Sequence, residues 1–281
     1  MKIHILIPVY NRLKNTKEII SCLRNQIISK KINIIVIDDG SNDGSKEWLK
    51  NQADITVLNG NSFLYWGGAI NCGINYLIKN HDPNDWVIFI NNDVWIDNNF
   101  VSNLYEIAKS NKNSAIGTSV RKLSNRSFLV SIGPIINAWN FEVYDKITRI
   151  GNLNSIAKLT EVDALSGRGV IYSLKMLKAH GNLNTLIMPH YFSDYVLSMR
   201  LKKKGIKLLV SMENSVYSNE EFDQRAIIRK EEKLLKKYFS RKSSYYLPAL
   251  FKFWFEASDI FEKLTLPLRL ILFNIKNLLK K

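Results

Sequence analysis

The stretch Trp86-Val87-Ile88-Phe89-Ile90-Asn91-Asn92-Asp93-Val94 decides the fold class. Five apolar residues run without a break into three polar, oxygen-bearing side chains. Such a run, with its β-branched bias, suits a strand buried on both faces, as in the parallel sheets of α/β proteins. In open α/β sheets ligands sit outside the carboxyl ends of the strands, so Asn91, Asn92 and Asp93 fall where a crevice is expected. One carboxylate flanked by amides can hold a hard cation when other oxygens complete its shell, and nucleotide phosphates commonly do so. The competing reading is a turn that caps a helix starting near Asp97.

Upstream, the same grammar of buried strand, polar turn and helix repeats. Ile3 to Val9 reads as a strand ending in Pro8-Val9-Tyr10-Asn11-Arg12. A helix follows with apolar positions at Ile19, Ile20, Leu23 and Ile27, and Thr16 as its expected cap. No glycine-rich phosphate loop follows this first strand, which argues against a dinucleotide-binding enzyme or a sugar nucleotidyltransferase. The turn offers instead the Tyr10 ring, able to pack on a nucleobase, beside backbone groups able to bond its edge. Ile32 to Ile37 is a second strand, ending in Asp38-Asp39-Gly40-Ser41-Asn42-Asp43-Gly44-Ser45. Carboxylates at that position can accept from a base N–H or a ribose hydroxyl, a role expected here of Asp38 and Asp39. Asp43 or Ser45 is expected to cap the next helix.

A third strand, Ile55 to Leu58, leads to Tyr65-Trp66-Gly67-Gly68-Ala69-Ile70-Asn71. Glycines at a helix N-terminus permit close approach of a phosphate to free N–H groups, and tight helix packing explains them equally well. After the strand at Trp86 to Ile90 come a helix from about Asn98 to Ser110 and a fifth strand, Ala115 to Val120.

Composition limits the alternatives. The chain has 281 residues, 46% of them hydrophobic, enough for one large domain or a domain with an appendage, and disorder is not expected. Cys22 and Cys72 lack metal-ligand spacing and are too few for a disulfide framework, which suits a reducing cytoplasm. The N-terminus enters a strand directly, so no secretory leader is expected. The net charge of +15 is uneven: Arg229 to Lys281 holds thirteen Lys or Arg against five Asp or Glu. The basic character therefore belongs largely to a C-terminal extension, and no nucleic-acid recognition motif accompanies it.

Taken in order, Pro8-Val9-Tyr10-Asn11, Asp38-Asp39-Gly40-Ser41, Gly67-Gly68 to Asn71, and Asn91-Asn92-Asp93 resemble the motifs of family 2 glycosyltransferases with the GT-A fold. The resemblance extends through Asp163-Ala164-Leu165-Ser166-Gly167-Arg168-Gly169, similar to the loop lining the acceptor side in that family. It also takes in Phe192-Ser193-Asp194-Tyr195, similar to the segment carrying the catalytic base. It covers about residues 1–217. The Tyr65-Trp66-Gly67-Gly68 stretch is similar to members that add rhamnose or other sugars to lipid-linked polysaccharide intermediates.

The resemblance implies a mostly parallel central sheet flanked by helices, in a GT-A domain over residues 1–219. Within it, 1–120 would bind nucleotide and 121–219 would face the acceptor. It implies a nucleotide-diphosphate sugar donor, UDP- or dTDP-linked, contacted by Pro8, Val9, Tyr10, Asn11, Asp38, Asp39, Gly67, Gly68, Asn71, Asn91 and Asn92. Mg²⁺ or Mn²⁺ would sit at Asp93, and Gly167, Arg168 and His190 would line the acceptor side. The implied reaction is inverting transfer to a saccharide or lipid-linked acceptor in surface polysaccharide synthesis. The alternative is a catalytically weak nucleotide-sugar-binding protein of the same fold.

This chain departs from the family pattern in three places. Asn91 and Asn92 leave Asp93 as the only carboxylate of its motif, so metal should bind poorly without nucleotide. Ser193-Asp194 and Val196 stand where further acidic residues are usual. Val216-Tyr217-Ser218-Asn219 has no histidine for a metal. Asp194 suits a general base, since inverting transfer needs a carboxylate to take the acceptor's proton. A helix N-cap is the other reading of Asp194, and His190 is the competing base.

Phe128 to Ile147, with Gly133-Pro134, suggests strands and loops on the acceptor side. From Glu220 the pattern turns helical, with Glu220, Glu221 and Asp223 early and Lys233, Lys236 and Lys237 late, as the helix dipole favours. Residues 220–281 thus form a basic, amphipathic helical extension. No apolar run there is long enough to span a bilayer. The extension is expected either to hold the enzyme on an anionic membrane at the inner face of the cell membrane or to pack on the protein.

Overall fold

The computed structural model describes residues 1–150, 156–181, 183, 185–219 and 238–279, the last few of these as backbone only. The helical pattern expected to begin at Glu220 and carry Lys233, Lys236 and Lys237 lies outside the described residues.

The sheet is built from β1 (Ile3–Val9), β2 (Ile32–Asp38), β3 (Ile55–Asn59), β4 (Trp86–Phe89), β5 (Ser114–Lys122), β9 (Leu159–Glu161), β10 (Val170–Ser173) and β11 (Lys207–Ser218), with β6 (Asn125–Ser131) paired to β5. Its order is β3-β2-β1-β4-β10-β5-β11-β9. β1, β2, β3 and β4 pair in parallel, as do β5 and β11. The apolar pattern did not indicate that β10 inserts antiparallel between β4 and β5. That insertion brings the loop before β10 to the carboxyl end of β4, where Gly169 N–H donates to the Phe89 carbonyl at 2.9 Å. A hairpin of β7 (Pro134–Asn137) and β8 (Glu142–Asp145) lies off the sheet.

Helices cover both faces. α1 (Leu13–Arg24), α2 (Ser45–Lys50) and α4 (Phe100–Ser110) surround one apolar cluster; α3 (Tyr65–Asn80), α5 (Leu174–His180) and α6 (Ser193–Lys203) adjoin the other. β1 and β4 are buried on both faces, which is why their sequences read as unbroken apolar runs. Gly73 of α3 lets the helix approach the sheet, since a Cβ there would lie 2.8 Å from Leu6.

Two details of the first helix differ from expectation. Thr16 does not cap α1 but sits buried inside it, its hydroxyl donating to the Arg12 carbonyl at 2.9 Å. Ile27 lies beyond the helix end and is exposed. At α2, Asp43 supplies the cap: Oδ1 accepts from Ser45 N–H at 3.1 Å, and Oδ2 accepts from Leu13 N–H at 2.8 Å. One carboxylate thus serves the N-termini of two helices.

The C-terminal extension splits into an inner and an outer part. α7 (Leu247–Ala257) packs on α6, with Ala249, Phe253 and Trp254 buried among Met188, Val196 and Met199. Phe253 stacks on Phe192, ring centroids 4.6 Å apart. Burying a side chain of that size contributes about 2–3 kcal/mol. α8 (Ile260–Leu279) buries Leu266 but leaves Ile260, Phe261, Leu264, Leu268, Ile271 and Leu272 exposed. Among the described residues no helix is long and apolar enough to cross a membrane.

Candidate active site

The crevice forms where β1, β2 and β4 end and the loop before β10 crosses. Asp93 lies in the turn that follows β4. Arg12 Nη1 donates to Asp93 Oδ2 at 2.5 Å, while Asp93 Oδ1 is buried with no hydrogen-bond partner among the described residues. A buried carboxylate oxygen left open calls for a partner, and a cation is the natural one. Asn91 and Asn92 are tied to the protein. Asn91 Oδ1 accepts from Trp66 Nε1 at 2.8 Å, and Asn92 Nδ2 donates to Thr16 Oγ1 at 3.1 Å. The residues therefore fit a hard cation that takes one carboxylate oxygen from the protein and the rest from phosphate and water.

Asp194 comes from α6 and is linked to the Asp93 motif through Gly167, Trp66 and Asn91. The helix starts after Phe192, whose left-handed φ of 66° turns the chain inward, so Asp194 lies in the first turn and is not the N-cap. Its Oδ2 accepts from Gly167 N–H at 2.9 Å and its Oδ1 from Tyr195 N–H at 2.9 Å. Withdrawal from water raises its carboxyl pKa above the ordinary range, outweighing the two N–H groups and the Arg168 charge that lower it. Ser198 braces the arrangement by accepting from Leu165 N–H at 2.9 Å and donating to the Asp194 carbonyl at 3.0 Å. Gly167 also lies against Trp66, where a Cβ would come within 2.0 Å of the indole Cζ2. Trp66 thus joins Asn91 to Gly167, a bridging role that the residue-by-residue reading missed.

His190 lies near the same space, its ring centroid 6.3 Å from that of Tyr65. Burial, then the charges of Lys242 and Arg12, lower its pKa to about 4. The imidazole is neutral at physiological pH but a weak proton acceptor, and its Nδ1 is buried without a hydrogen-bond partner among the described residues.

The residues expected to meet the nucleotide divide into two groups. Tyr10 is exposed at the crevice edge, and Asn11, at φ 46°, accepts from Asn42 N–H at 2.8 Å to join the β1 and β2 turns. Asp38 is buried and accepts from Ser41 N–H at 3.1 Å. Asp39 accepts from Leu64 N–H at 3.2 Å and from Tyr65 N–H at 2.9 Å, so the anion at the α3 N-terminus is the protein's own. Gly67 N–H donates to the Pro189 carbonyl at 2.8 Å, and Gly68 N–H to the Leu64 carbonyl at 3.0 Å. A Cβ on Gly67 would lie 3.0 Å from the Met188 and Pro189 carbonyls, so this glycine serves close packing. Asn71 Oδ1 accepts from Leu183 N–H at 3.4 Å, away from the β1 and β4 turns.

Among the described residues, His4, His81 and Asp85 also form a group with metal-ligand atoms close together. It lies at the amino ends of β1 and β4, roughly 20 Å along the strands from Asp93. Asp85 Oδ2 bonds His4 Nε2 at 3.0 Å, and Asn33 Nδ2 bonds His4 Nδ1 at 3.1 Å, so the buried imidazole is satisfied without a cation.

A mostly parallel sheet flanked by helices on both faces defines a GT-A-like α/β protein. The glycosyl transferase family 2 model matches residues 4–156, and the chain belongs to that family. Glycosyltransferase GlyA of Streptococcus pneumoniae is 26% identical over 185 residues, 63% of this chain but 25% of that protein, so the chain spans a quarter of that relative's length. Among solved structures, S. aureus TarS 1–349 in complex with UDP has a TM-score of 0.55 at 16% identity, covering 78% of this chain and 60% of TarS 1–349. GalNAc-T7 with UDP, GalNAc and Mn²⁺ has a TM-score of 0.61 at 13% identity, covering 79% of this chain and 44% of that one.

Proposed function

We propose that this chain is an inverting glycosyltransferase that moves a sugar from a nucleotide-diphosphate donor to a hydroxyl of a saccharide or lipid-linked acceptor. The observation that carries the reading is the run of contacts from Asn91 through Trp66 and Gly167 to Asp194, which links two differently held carboxylates. Asp93 keeps one buried oxygen open, and Asp194 is fixed by the Gly167 amide with its pKa raised. A cation held by Asp93, Mg²⁺ or Mn²⁺, would supply charge neutralisation at the donor's diphosphate. Tyr10 would pack on the base, with the β1 and β2 turns around Asn11 and Asp38 beside it. UDP in TarS and in GalNAc-T7 supports a uridine donor, with a dTDP-sugar as the other expectation.

In the transfer step the acceptor oxygen forms a bond to the anomeric carbon as that carbon's bond to the diphosphate oxygen breaks, its electron pair leaving with the diphosphate. The acceptor proton passes to Asp194. A raised pKa makes the Asp194 carboxylate the stronger proton acceptor. Arg168, whose charge acts on Asp194, would steady the acceptor side with His190.

The exposed apolar face of α8 supports a peripheral position on an anionic membrane, where a lipid-linked acceptor of surface polysaccharide synthesis would be presented. The domain reading follows: residues 1–219 carry the chemistry and 220–281 the attachment, although α7 packs on the core.

A nucleotide-sugar-binding protein without turnover is the second reading, favoured by the Arg12 side chain on the motif's only carboxylate. The test is a thermal-shift panel of UDP-, dTDP- and GDP-sugars with and without Mn²⁺, followed by donor turnover with saccharide acceptors. Stabilisation by one donor and release of its nucleotide diphosphate support transfer; stabilisation without turnover supports binding alone.

A further inference from the structure

The amides expected to meet a diphosphate at the start of α3 are already taken. The α3 N-terminus is filled by Asp39, and the amides of Gly67 and Gly68 are bonded within the protein. Beyond a cation at Asp93, further positive charge would come from side chains, and Arg12 is one source.

A second comes from the C-terminal segment. Arg241 Nη2 donates to the carbonyls of Thr185 at 3.5 Å and Leu186 at 3.3 Å, and its guanidinium lies 5.8 Å from the Tyr65 ring centroid. This anchors the segment beside the crevice. The next residue, Lys242, places Nζ 5.7 Å from the Tyr10 ring centroid and 5.7 Å from that of Tyr65. Its ammonium therefore stands between the turn after β1 and the start of α3, near Arg12 and His190. Among the described residues that ammonium has no hydrogen bond or ion pair, whereas Arg12 pairs with Asp93 and Arg241 donates to the Thr185 and Leu186 carbonyls. Two ring faces at an exposed site are worth only about 0.5–1 kcal/mol each. An anion beside the ammonium would complete the site.

We propose that Lys242 binds the diphosphate of the nucleotide donor, so that the C-terminal segment, and not the α/β core alone, completes the donor site. The inference rests on the donor reading above. It explains why a crevice with a single motif carboxylate and no phosphate loop can still take a highly charged ligand: lysine acts as a point charge on a flexible stem.

The test is calorimetric titration of the full chain with UDP, dTDP and GDP and with their nucleosides, in Mn²⁺ at low and high salt. For the nucleotide that wild type binds, Lys242→Ala is expected to weaken the diphosphate about tenfold or more and to leave the nucleoside unchanged. The loss should shrink at high salt, and Lys242→Arg should restore most of the affinity. An unchanged melting temperature of the ligand-free variant would confirm that it folds. Equal diphosphate affinity in wild type and Lys242→Ala would overturn the assignment and leave the donor reading standing. Equal losses for nucleoside and diphosphate would also overturn it, and wild type that binds none of the three would overturn the donor reading itself.

Discussion

Arg12 and Asp93 form an ion pair, Nη1 to Oδ2 at 2.5 Å, that covers one oxygen of the carboxylate and leaves the other buried and open. Arg12 and a metal therefore share a ligand. Mg²⁺ or Mn²⁺ should strengthen nucleotide-sugar binding, and Asp93→Ala should remove most of that gain. Arg12→Ala should raise Mn²⁺ affinity several-fold in the absence of nucleotide, since a partly exposed pair is worth roughly 0.2–1 kcal/mol. Calorimetry with and without metal checks both, and donor affinity indifferent to metal would count against the first.

Asp194→Asn should keep the fold and the donor affinity but lose transfer by about 10²- to 10⁴-fold. The amide fills the same volume and cannot take the acceptor's proton. Turnover close to wild type would move the base to His190.

The pH profile separates the same two groups. A base must be deprotonated to act, so a raised Asp194 pKa moves the acid limb of kcat/KM above the ordinary carboxylate range, and activity falls as pH drops through it. His190, lowered to about 4, stays neutral through that window. His190→Gln should leave the limb in place; a limb that vanishes with the imidazole would reassign the base.

Gly167→Ala should lower stability by about 1–3 kcal/mol, because the new methyl would meet the Trp66 ring at 2.0 Å. The same residue's amide holds Asp194, so turnover should fall as well. Restoring space with Trp66→Leu should recover part of the stability in denaturant titration but lose the Asn91 bond.

Vesicle sedimentation tests the outer face of α8. Replacing Leu264, Leu268 and Leu272 by Glu should abolish binding to anionic vesicles and leave the melting temperature near wild type, because these side chains are exposed and Leu266 is not. Deleting α7 as well would instead remove Phe253 and Trp254, uncover Met188, Val196 and Met199, and unfold the domain's flank. Full-length protein that ignores vesicles would leave α8 without a membrane role.

Much of the fold was legible locally. Strands buried on both faces must be apolar throughout, so β1, β2 and β4 declared themselves, and the polar residues that end them marked the crevice. Asp93 could be singled out by its place at the end of a buried strand, and Asp194 only by resemblance to the family's base segment. The antiparallel β10 was hidden, since strand order depends on which edges meet and an apolar run does not encode its neighbour.

What the sequence determined by itself was therefore the α/β class and the family, with the two carboxylates as its candidates for the site. Tertiary structure alone decided the partners. Asp39 was claimed by the α3 amides, Gly67 by the Pro189 carbonyl and Asn92 by Thr16, each an acceptor or donor that must be satisfied wherever burial places it. Lys242 reached the rings of Tyr10 and Tyr65 from the far end of the chain, because packing of α7 on α6 carries that segment back to the crevice. Contacts between residues so distant in sequence follow from buried area and chain connectivity, and no local pattern records them.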